Sequence, residues 1–309
     1  MIVVTGGAGF IGSHLVDRLL ELGYEVLVID NFCSGKIENL KQHEKNPNLK
    51  IVKADIRDKE IVKHLENAEA IFHLAADPDV RLSVENPSKS FEINMIGSFN
   101  VLEAARKLDI KDFIFTSSGG TVYGDTAKPV DEEFRLRPIS PYGASKAAFE
   151  MYLSAYAHSY GMNCISLRLG NIIGPRSTHG VTWDFFWKLK KDKSRLVILG
   201  NGEQEKSYLH VKDAISAIIL AWKKSKGFEA YNIAHEKTLK VREIARIVCE
   251  ELKVNPKFEF TGGERGWRGD VKIVKLKIEK IKKLGWKPRV EPEEAIRDYV
   301  KWLVEKFGF

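Results

Sequence analysis

The chain has 309 residues, of which 44% are hydrophobic and 29% charged, and a formal net charge of +7. These values predict one large or two modest folded domains. The lysines are dispersed among glutamates and no basic run is interleaved with aromatics, so we expect solvated faces and no nucleic-acid partner. No apolar run approaches the ~18 residues of a membrane span, and the three cysteines stand far apart without metal-ligand spacing. We therefore expect a cytoplasmic protein with no metal site and no membrane partner.

The chain opens with a glycine-rich turn between a strand and a helix. Gly6, Gly9 and Gly12 follow a short β-branched run, and an amphipathic segment begins among them. Such glycines permit a tight turn, close approach to a pyrophosphate and close helix–sheet packing, while free N–H groups of the helix face phosphate. A second predicted strand leads to Asp30, a carboxylate placed to meet ribose hydroxyls and to repel a 2′-phosphate, and no arginine follows in 31–35. The sequence therefore predicts NAD rather than NADP.

Strands and helices alternate through the first half of the chain. Strands are predicted just before Gly6 and at 25–29, 51–53, 70–74, 112–116 and 163–169, and helices at 10–22, 88–108 and 142–160. Such alternation predicts a parallel sheet covered by helices on both faces. We therefore assign residues 1–169 to an α/β domain of Rossmann type, a doubly wound parallel sheet that binds NAD.

After Gly170 the alternation becomes irregular. Turn signals stand at 174–177 and 200–202, and helices are predicted at 184–191, 211–222, 241–252 and 292–306. We expect 170–309 to form mainly a smaller α+β domain that binds substrate over the carboxyl ends of the parallel strands. Part of 196–235, above all the predicted helix at 211–222, is expected to pack back on the first domain.

A second group of chemically active residues stands at the start of the predicted helix 142–160. Ser140 can cap this helix and Pro141 suits its first turn, so Tyr142 and Lys146 lie one turn apart on one face. A nearby ammonium favours phenolate and lowers the pKa of a phenol from its usual ~10. Tyr142 is therefore a candidate general base for a substrate hydroxyl, and Lys146 could also bind the nicotinamide ribose.

The glycine-rich opening and the Tyr142-x-x-x-Lys146 pair resemble motifs of the extended short-chain dehydrogenase/reductase superfamily. The similarity extends over the whole chain and is strongest to nucleotide-sugar epimerases, above all the UDP-glucose (UDP-galactose) 4-epimerases. Further matching segments are Asp55-Ile56-Arg57-Asp58, His73-Leu74-Ala75-Ala76, Asn94, 117–124 and 167–171. The resemblance implies NAD as the cofactor and a UDP-sugar as the substrate, and we expect a homodimer.

Roles for individual cofactor-binding residues follow from the resemblance. Contacts are implied for Gly6, Gly9, Phe10, Ile11, Gly12, Asp30, Asn31, Asp55, Ile56, Leu74, Ala75, Ala76, Asn94, Tyr142 and Lys146. Within this set, Asp55 and Ile56 would border the adenine, and 74–76 would run along the pyrophosphate and the nicotinamide ribose. Asn94 would support the active site or the cofactor.

The resemblance also implies contacts to the sugar nucleotide, at Ser118, Thr121, Tyr142, Asn171, Tyr208, Arg268 and Val274. Tyr208 and His210 belong to a segment beside the nucleotide, in which Lys206 replaces the usual arginine and so lacks its bidentate fork. Either Arg265 or Arg268 would grip the diphosphate, and Arg268 is preferred. Val274 stands where many glucose/galactose epimerases carry a bulky tyrosine, which predicts room for an N-acetyl group.

Gly119 departs from the epimerase pattern. Epimerases usually carry a third hydroxyl residue here, which hydrogen-bonds the reacting sugar oxygen. We predict that Ser118 or Thr121, preferably Thr121, takes this role; water or Tyr142 alone are the alternatives. Related dehydratases place Asp-Glu in this stretch to remove a hydroxyl, whereas Gly119-Gly120-Thr121 offers no acid. Loss of water from the sugar is therefore disfavoured.

The predicted activity is NAD-dependent epimerisation at C4 of a UDP-hexose through a 4-keto intermediate. Tyr142, Lys146, Thr121 and Ser118 are the predicted catalytic residues. The nearest alternative is a UDP-glucuronate epimerase or decarboxylase, for which the sequence lets us place no dedicated carboxylate-binding arginine. A noncatalytic NAD-binding regulator is disfavoured, because both Tyr142 and Lys146 are present.

Overall fold

The structure is a computed structural model that describes residues 1–126, 128–266 and 271–309. Its strands are β1 Ile2–Thr5, β2 Val26–Asp30, β3 Leu49–Lys53, β4 Ala70–His73, β5 Asp112–Ser118, β6 Asn163–Leu169, β7 Asn171–Ile173, β8 Arg195–Ile198, β9 Glu205–His210, β10 Phe228–Ile233, β11 Thr238–Lys240, β12 Lys257–Phe260 and β13 Ile273–Val274. Its helices are α1 Phe10–Glu21, α2 Val80–Glu85, α3 Pro87–Phe91, α4 Ser98–Lys107, α5 Pro141–Tyr160, α6 Val181–Lys191, α7 Val211–Lys224, α8 Val241–Leu252, α9 Glu279–Lys283 and α10 Pro292–Phe307. Two short 3₁₀ helices, Ile37–His43 and Lys59–His64, and a π-helical segment, Glu92–Gly97, complete the described elements.

Seven strands form one parallel sheet in the order β10–β6–β5–β4–β1–β2–β3. Every residue of β1 and β2 is buried, because helices cover both faces of the sheet. On one face α1 and α7 pack around Leu15 and Ile218, and on the other α4 and α5 pack around Val101 and Phe149. The doubly wound Rossmann-type fold predicted from the sequence is confirmed.

The order in which the chain adds strands to the sheet reverses beside β1. The chain moves outward through β2 and β3 and then returns to the other side of β1 with β4. The loops that follow β1 and β4 therefore diverge at their carboxyl ends, which is where open α/β sheets bind ligands. The glycine-rich turn and the segment after His73 both lie at this point.

The segment predicted as one helix at 88–108 is not a regular α-helix. It consists of α3, the π-helical segment and α4, joined end to end. A π turn inserts one residue into a helix and often occurs at a functional site. Asn94 lies in this turn and is buried. Apolar periodicity does not reveal a widening of a single turn, so the sequence prediction was wrong on this point.

The second half of the chain contributes to both parts of the molecule. β10 pairs with β6 along its whole length, and Trp222 of α7 donates a hydrogen bond of 2.9 Å to Asp112 at the start of β5. The other elements build a smaller α+β unit from the strands β11–β9–β13, with β7 beside β9, and from the β8–β12 pair. Helices α6, α8 and α10 supply its core, in which Phe185, Val248 and Tyr299 are buried. Among the described residues, no helix is both long and apolar enough to cross a membrane.

Candidate active site

The glycine-rich turn is shaped to bring backbone close to a ligand. Gly6 has a φ of +71°, and a Cβ there would lie 2.7 Å from the amide nitrogen of Ala75. A Cβ on Gly12 would collide with the carbonyl oxygen of Gly6. The N-cap residue of α1 is Gly9, which has no side chain to cap the helix, and the first turn of α1 holds no acidic residue. The N–H groups of that turn therefore favour an anion, which fits the pyrophosphate of a dinucleotide.

Asp30 connects this turn to the neighbouring strand. Its carboxylate accepts hydrogen bonds from the backbone N–H of Ala8 at 3.0 Å and of Phe32 at 2.8 Å. Asp30 is buried, yet each carboxylate oxygen retains a lone pair for a further donor such as a hydroxyl. The carboxylate thus fixes the turn and can still accept from a ribose.

A second carboxylate, Asp55, lies beside this position. Arg57 binds it through two hydrogen bonds of 2.9 Å, and the amide of Asn31 donates to it at 2.8 Å. The Arg57 guanidinium holds the pKa of Asp55 well below its usual range. The structure therefore brings Asn31 and Asp55 together, whereas the side chain of Ile56 is buried in the hydrophobic core.

The π turn fixes the segment that follows β4. The carboxamide of Asn94 accepts from the N–H of Asp77 at 2.8 Å and donates to its carbonyl at 3.0 Å. Ser98, bonded to the carbonyl of Asn94, also contacts the ring of His73, whose other nitrogen lies 2.8 Å from the hydroxyl of Thr5. Burial lowers the pKa of His73 to about 3, so its ring is neutral. This network holds 74–77 in place beside the glycine-rich turn.

Tyr142 and Lys146 lie one turn apart at the start of α5, which Ser140 caps through a hydrogen bond to Gly143. The Lys146 ammonium donates to the carbonyl of Thr116 at 2.9 Å and lies 4.5 Å from the ring centroid of Phe115. Burial lowers the pKa of Lys146 to about 7. The phenol of Tyr142 is hydrogen-bonded to the hydroxyl of Ser118 at the end of β5.

The pKa of Tyr142 differs from the sequence prediction. Burial raises it to about 12, and the charge of Asp77 acts in the same direction, while the bond to Ser118 opposes both. Lys146 does not lower it, since its Nζ atom is 5.8 Å from the centre of the phenol ring and is bound to Thr116. The prediction that Lys146 lowers the pKa of Tyr142 is therefore wrong for the protein without a bound cofactor. Spacing along a helix cannot show how strongly the rest of the fold buries a phenol.

The loop after β5 explains why residue 119 is glycine. A Cβ on Gly119 would lie 2.5 Å from a methyl carbon of Leu276 and 2.8 Å from the carbonyl oxygen of Arg168. A Cβ on Gly120 would instead meet only Asn171 and Ser118, at about 4 Å. A side chain at 119 would thus point into the protein, and a hydroxyl there could not be added without displacing Leu276.

Two polar atoms beside this loop are left for a ligand. The hydroxyl of Thr121 and the amide nitrogen of Asn171 are buried and have no hydrogen-bond partner within the described ranges. Buried polar atoms are normally paired, so unpaired ones at a cleft indicate that a polar ligand supplies the partner. A Cβ on Gly120 would lie about 4 Å from both Asn171 and Ser118. A Cβ on Gly143, next to Tyr142, would lie 3.1 Å from the Cβ of Thr121, so both polar atoms are near Ser118 and Tyr142.

The remaining predicted substrate residues lie on the smaller unit. Tyr208 stands opposite Asn171 in the β7–β9 pair, and Val274 stands opposite Lys206 in the β13–β9 pair; Tyr208 and Val274 are buried. Arg265 forms a salt bridge with Asp125. Arg268, the preferred diphosphate ligand, falls outside the described residues.

Sequence reasoning missed two residues, one that contacts the start of α5 and one that lies on it. The hydroxyl of Ser83 in α2 accepts from the backbone N–H of Tyr142 at 3.2 Å. Glu150, two turns after Tyr142, is fully buried and forms an ion pair with Arg168. The sequence signal for Glu150 was its spacing, because it follows Tyr142 and Lys146 at the same four-residue interval along α5. Ser83 had no comparable signal, since α2 was not predicted.

A Tyr-x-x-x-Lys pair beside a dinucleotide turn in a doubly wound sheet is the arrangement of the short-chain dehydrogenase/reductase superfamily, and the resemblance seen in the sequence is confirmed at that level. Within this superfamily, the chain belongs to the family described as GDP-mannose 4,6 dehydratase, whose sequence model matches residues 3–299.

Similar proteins include several epimerases. A UDP-glucose 4-epimerase of Mycolicibacterium smegmatis is 34% identical, with 98% of each chain covered. The UDP-glucose 4-epimerase of Thermus thermophilus, solved in complex with NAD, is 36% identical, with a TM-score of 0.89 and 99% of each chain covered. The UDP-N-acetylglucosamine 4-epimerase of Methanobrevibacter ruminantium, solved with UDP-N-acetylmuramic acid, is 34% identical, with a TM-score of 0.90 and coverage of 99% and 98%.

Proposed function

We propose that this protein is an NAD-dependent 4-epimerase of UDP-hexoses. The observation that carries the proposal is the convergence of Tyr142, Ser118 and the unpaired amide of Asn171 at the carboxyl end of β5, beside the glycine-rich turn. A half-buried phenol next to a dinucleotide turn is suited to exchange a proton with a secondary alcohol that is being oxidised. The similarity to epimerases that bind NAD and UDP-sugars supports the same assignment.

The residues present fit NAD. The uncapped start of α1 would hold the pyrophosphate, Asp30 the adenosine ribose, Asn31 and Asp55 the edge of the adenine, and Lys146 the nicotinamide ribose. Removal of hydride from C4, giving a 4-keto sugar, and hydride return to its other face are the chemistry that NAD supplies when bound.

The chain's own groups handle the proton. We propose that the phenolate oxygen of Tyr142 accepts the proton of the sugar 4-hydroxyl and later returns it. The hydroxyl of Ser118 would hydrogen-bond the phenol oxygen and the sugar 4-oxygen and so hold them in position for this transfer. Burial opposes ionisation of Tyr142, so a positive charge must be bound beside it during the reaction. We therefore expect the Tyr142 pKa to fall from about 12 when oxidised cofactor is present.

Epimerisation is favoured over dehydration by the loop after β5. Elimination of water from the sugar requires an acid to protonate the departing hydroxyl. Gly119, Gly120 and Thr121 carry no carboxyl group, and Glu150 is already bound to Arg168 beneath the loop. We therefore propose that the 4-keto sugar is reduced in the site without losing a hydroxyl.

The substrate range is proposed to include N-acetylated sugars. Val274 stands in the segment where glucose/galactose epimerases carry a larger residue, and its small side chain would leave room for an acetamido group. One small group changes recognition in such a pocket by ~1–3 kcal/mol. The similarity to a UDP-N-acetylglucosamine 4-epimerase supports this breadth.

We also propose that the protein acts as a homodimer. Phe91, Ile96, Met151 and Tyr152 are exposed apolar side chains on α3, the π segment and α5, and Tyr152 contacts the ring of Phe99 in α4. An exposed apolar patch that spans adjacent helices is typical of a subunit interface. Light scattering coupled to size exclusion tests the proposal, and a monomer at micromolar concentration would contradict it.

The direct test of function is incubation with a panel of UDP-sugars, with the products identified by proton NMR. UDP-glucose, UDP-galactose, their N-acetylated forms and UDP-glucuronate should be supplied singly, with the Tyr142→Phe variant as control. We expect interconversion of the C4 epimers without net oxidation. A 4-keto-6-deoxy product, or turnover of UDP-glucuronate alone, would overturn the proposal.

A further inference from the structure

Three side chains on successive turns of α5 each meet one of three consecutive residues of β5. Tyr142 is bonded to Ser118, Lys146 to the carbonyl of Thr116, and Glu150 to the hydroxyl of Ser117. The first two pairs belong to the proposed reaction. The third pair lies deeper in the protein and requires burial of the charged carboxylate of Glu150. Burial of a charge is unfavourable, so we expect its contacts to reveal a role for Glu150.

Glu150 is completely buried and firmly held. Arg168 of β6 donates to one of its carboxylate oxygens through Nε at 3.0 Å and Nη2 at 2.8 Å, and Ser117 donates to the other oxygen. Arg168 in turn donates to the phenol oxygen of Tyr123 and to the carbonyl of Glu132. A buried carboxylate with this many donors is fixed in one position.

Lys146 is surrounded by few charges. The neutral ring of His73 approaches from β4, Tyr142 and Glu150 flank it on α5, and Asp77 in the loop after β4 acts on Tyr142. Arg168 in β6 is paired with the carboxylate of Glu150. Burial lowers the pKa of Lys146 to about 7, and the charge of Glu150 opposes this decrease. Residues four apart on a helix face each other, so the carboxylate is a close neighbour of the ammonium.

We infer that Glu150 is a positioning residue whose carboxylate keeps Lys146 protonated and anchors the end of β5 through Ser117. The inference rests on the proposed function, since it assigns to Glu150 control over a residue of the proposed catalytic pair. Without the carboxylate, Lys146 would be a buried ammonium opposed by burial alone, and it would lose its proton at a lower pH. A neutral Lys146 would hold the nicotinamide ribose proposed for it without a charge-assisted hydrogen bond.

The test uses the isosteric substitution Glu150→Gln, which removes the charge and keeps the side chain's size. The alkaline decrease in kcat, which we assign to deprotonation of Lys146, should move to lower pH by about one unit. At pH 8 kcat should fall ~10-fold, and KM should change less than threefold. Ser117→Ala is the matched control, because it removes one hydrogen bond from Glu150 and keeps the charge; its alkaline decrease should stay at the wild-type pH.

Arg168 would be left buried and unpaired in Glu150→Gln, so a second variant guards against misfolding. In Glu150→Gln/Arg168→Gln both charges are absent. Loss of the Arg168 cation favours protonated Lys146, so the alkaline decrease should still lie below the wild-type pH but shift less than in Glu150→Gln. An unshifted decrease in either folded variant would overturn the inference. An equal shift in Ser117→Ala would also overturn it, because it would assign the effect to the hydrogen bond.

A readout independent of turnover separates this inference from the proposed function. In protein labelled with ¹³C at lysine Cε, the Lys146 resonance is identified by its loss in Lys146→Met. Its titration midpoint should decrease in the variants that lack Glu150. A decreased midpoint in a protein that converts no UDP-sugar would support the inference and refute the proposed function. An unchanged midpoint in an active epimerase would refute the inference alone.

Discussion

A methyl carbon of Leu276 occupies the space that a side chain on Gly119 would need. The two are separated by 2.5 Å when a Cβ is built on the glycine, and Leu276 is itself buried. Leu276, which follows β13, also pairs with Val130 through an isolated bridge, so the segment between β5 and α5 holds it in place. The lack of a hydroxyl at 119 is therefore a packing feature that joins the two parts of the molecule at the site.

This relationship predicts the outcome of restoring the hydroxyl. Gly119→Ser should lower the free energy of unfolding by ~1–3 kcal/mol, because it overpacks a filled space. The double substitution Gly119→Ser/Leu276→Ala should recover part of that loss relative to the sum of the single changes. Urea unfolding measures both, and Gly120→Ser is the control, since a Cβ there makes only ordinary contacts, at 3.9 Å and 4.0 Å. Strict additivity of the two changes would contradict the steric explanation.

The hydroxyl that replaces the missing one is predicted to be Ser118. It bonds directly to Tyr142, whereas Thr121, which the sequence favoured, has a buried hydroxyl without a partner among the described residues. Ser118→Ala should lower kcat ~100-fold, by removing a donor at the reacting oxygen. Thr121→Val should act mainly on KM. Steady-state kinetics on UDP-glucose compares the two variants. A larger decrease in kcat in Thr121→Val than in Ser118→Ala would assign the role to Thr121.

Removal of the Tyr142 hydroxyl should nearly abolish turnover. Tyr142→Phe keeps the ring and its packing but deletes the proton acceptor, and such groups commonly contribute ~100- to 10,000-fold. The variant should retain its NAD, because the cofactor contacts assigned to the glycine-rich turn are untouched. Retention of more than about a tenth of the wild-type rate would show that Tyr142 is not the base.

NAD should be isolated with the protein and should depend on Asp30. Denaturation of freshly purified protein should release NAD or NADH near one per chain, as a cofactor regenerated in each turnover has no need to leave. Asp30→Asn should lower the amount of NAD that stays bound. An amide has only one accepting oxygen, so its NH₂ group would face a backbone N–H that the second carboxylate oxygen now accepts from. Enzymatic cycling quantifies the released nucleotide. A protein that carries NADP would contradict the prediction.

Substrate breadth should depend on Val274. The wild type should act on UDP-glucose and UDP-N-acetylglucosamine, and Val274→Tyr should selectively reduce kcat/KM for the N-acetylated sugar, by ~10- to 200-fold. Val274→Ile is the control for altered packing of this buried strand position. Equal losses for both sugars in Val274→Tyr would show that the residue supports the fold and does not limit the pocket.

The sequence by itself determined the class of fold and placed the candidate pair Tyr142 and Lys146 on one helix. Glycines at fixed spacing after a β-branched strand specify the turn, because only residues without Cβ atoms allow Gly6 and Gly12 to approach their neighbours. Alternation of strands and helices specified the parallel sheet, and the four-residue spacing placed Tyr142 and Lys146 on one face of α5. These features depend on residues that are close together in the chain, so sequence patterns are enough to predict them.

Tertiary structure alone decided the features that depend on distant contacts. The pKa of Tyr142 is raised because segments far apart in the chain bury its phenol, which no spacing along one helix records. Gly119 is confined by Leu276 from the smaller unit, and β10 joins the large sheet after a long excursion of the chain. The π turn at Asn94 forms where its amide reaches both backbone groups of Asp77. Burial and long-range contact are properties of the folded chain, so the environment of each site residue became visible only there.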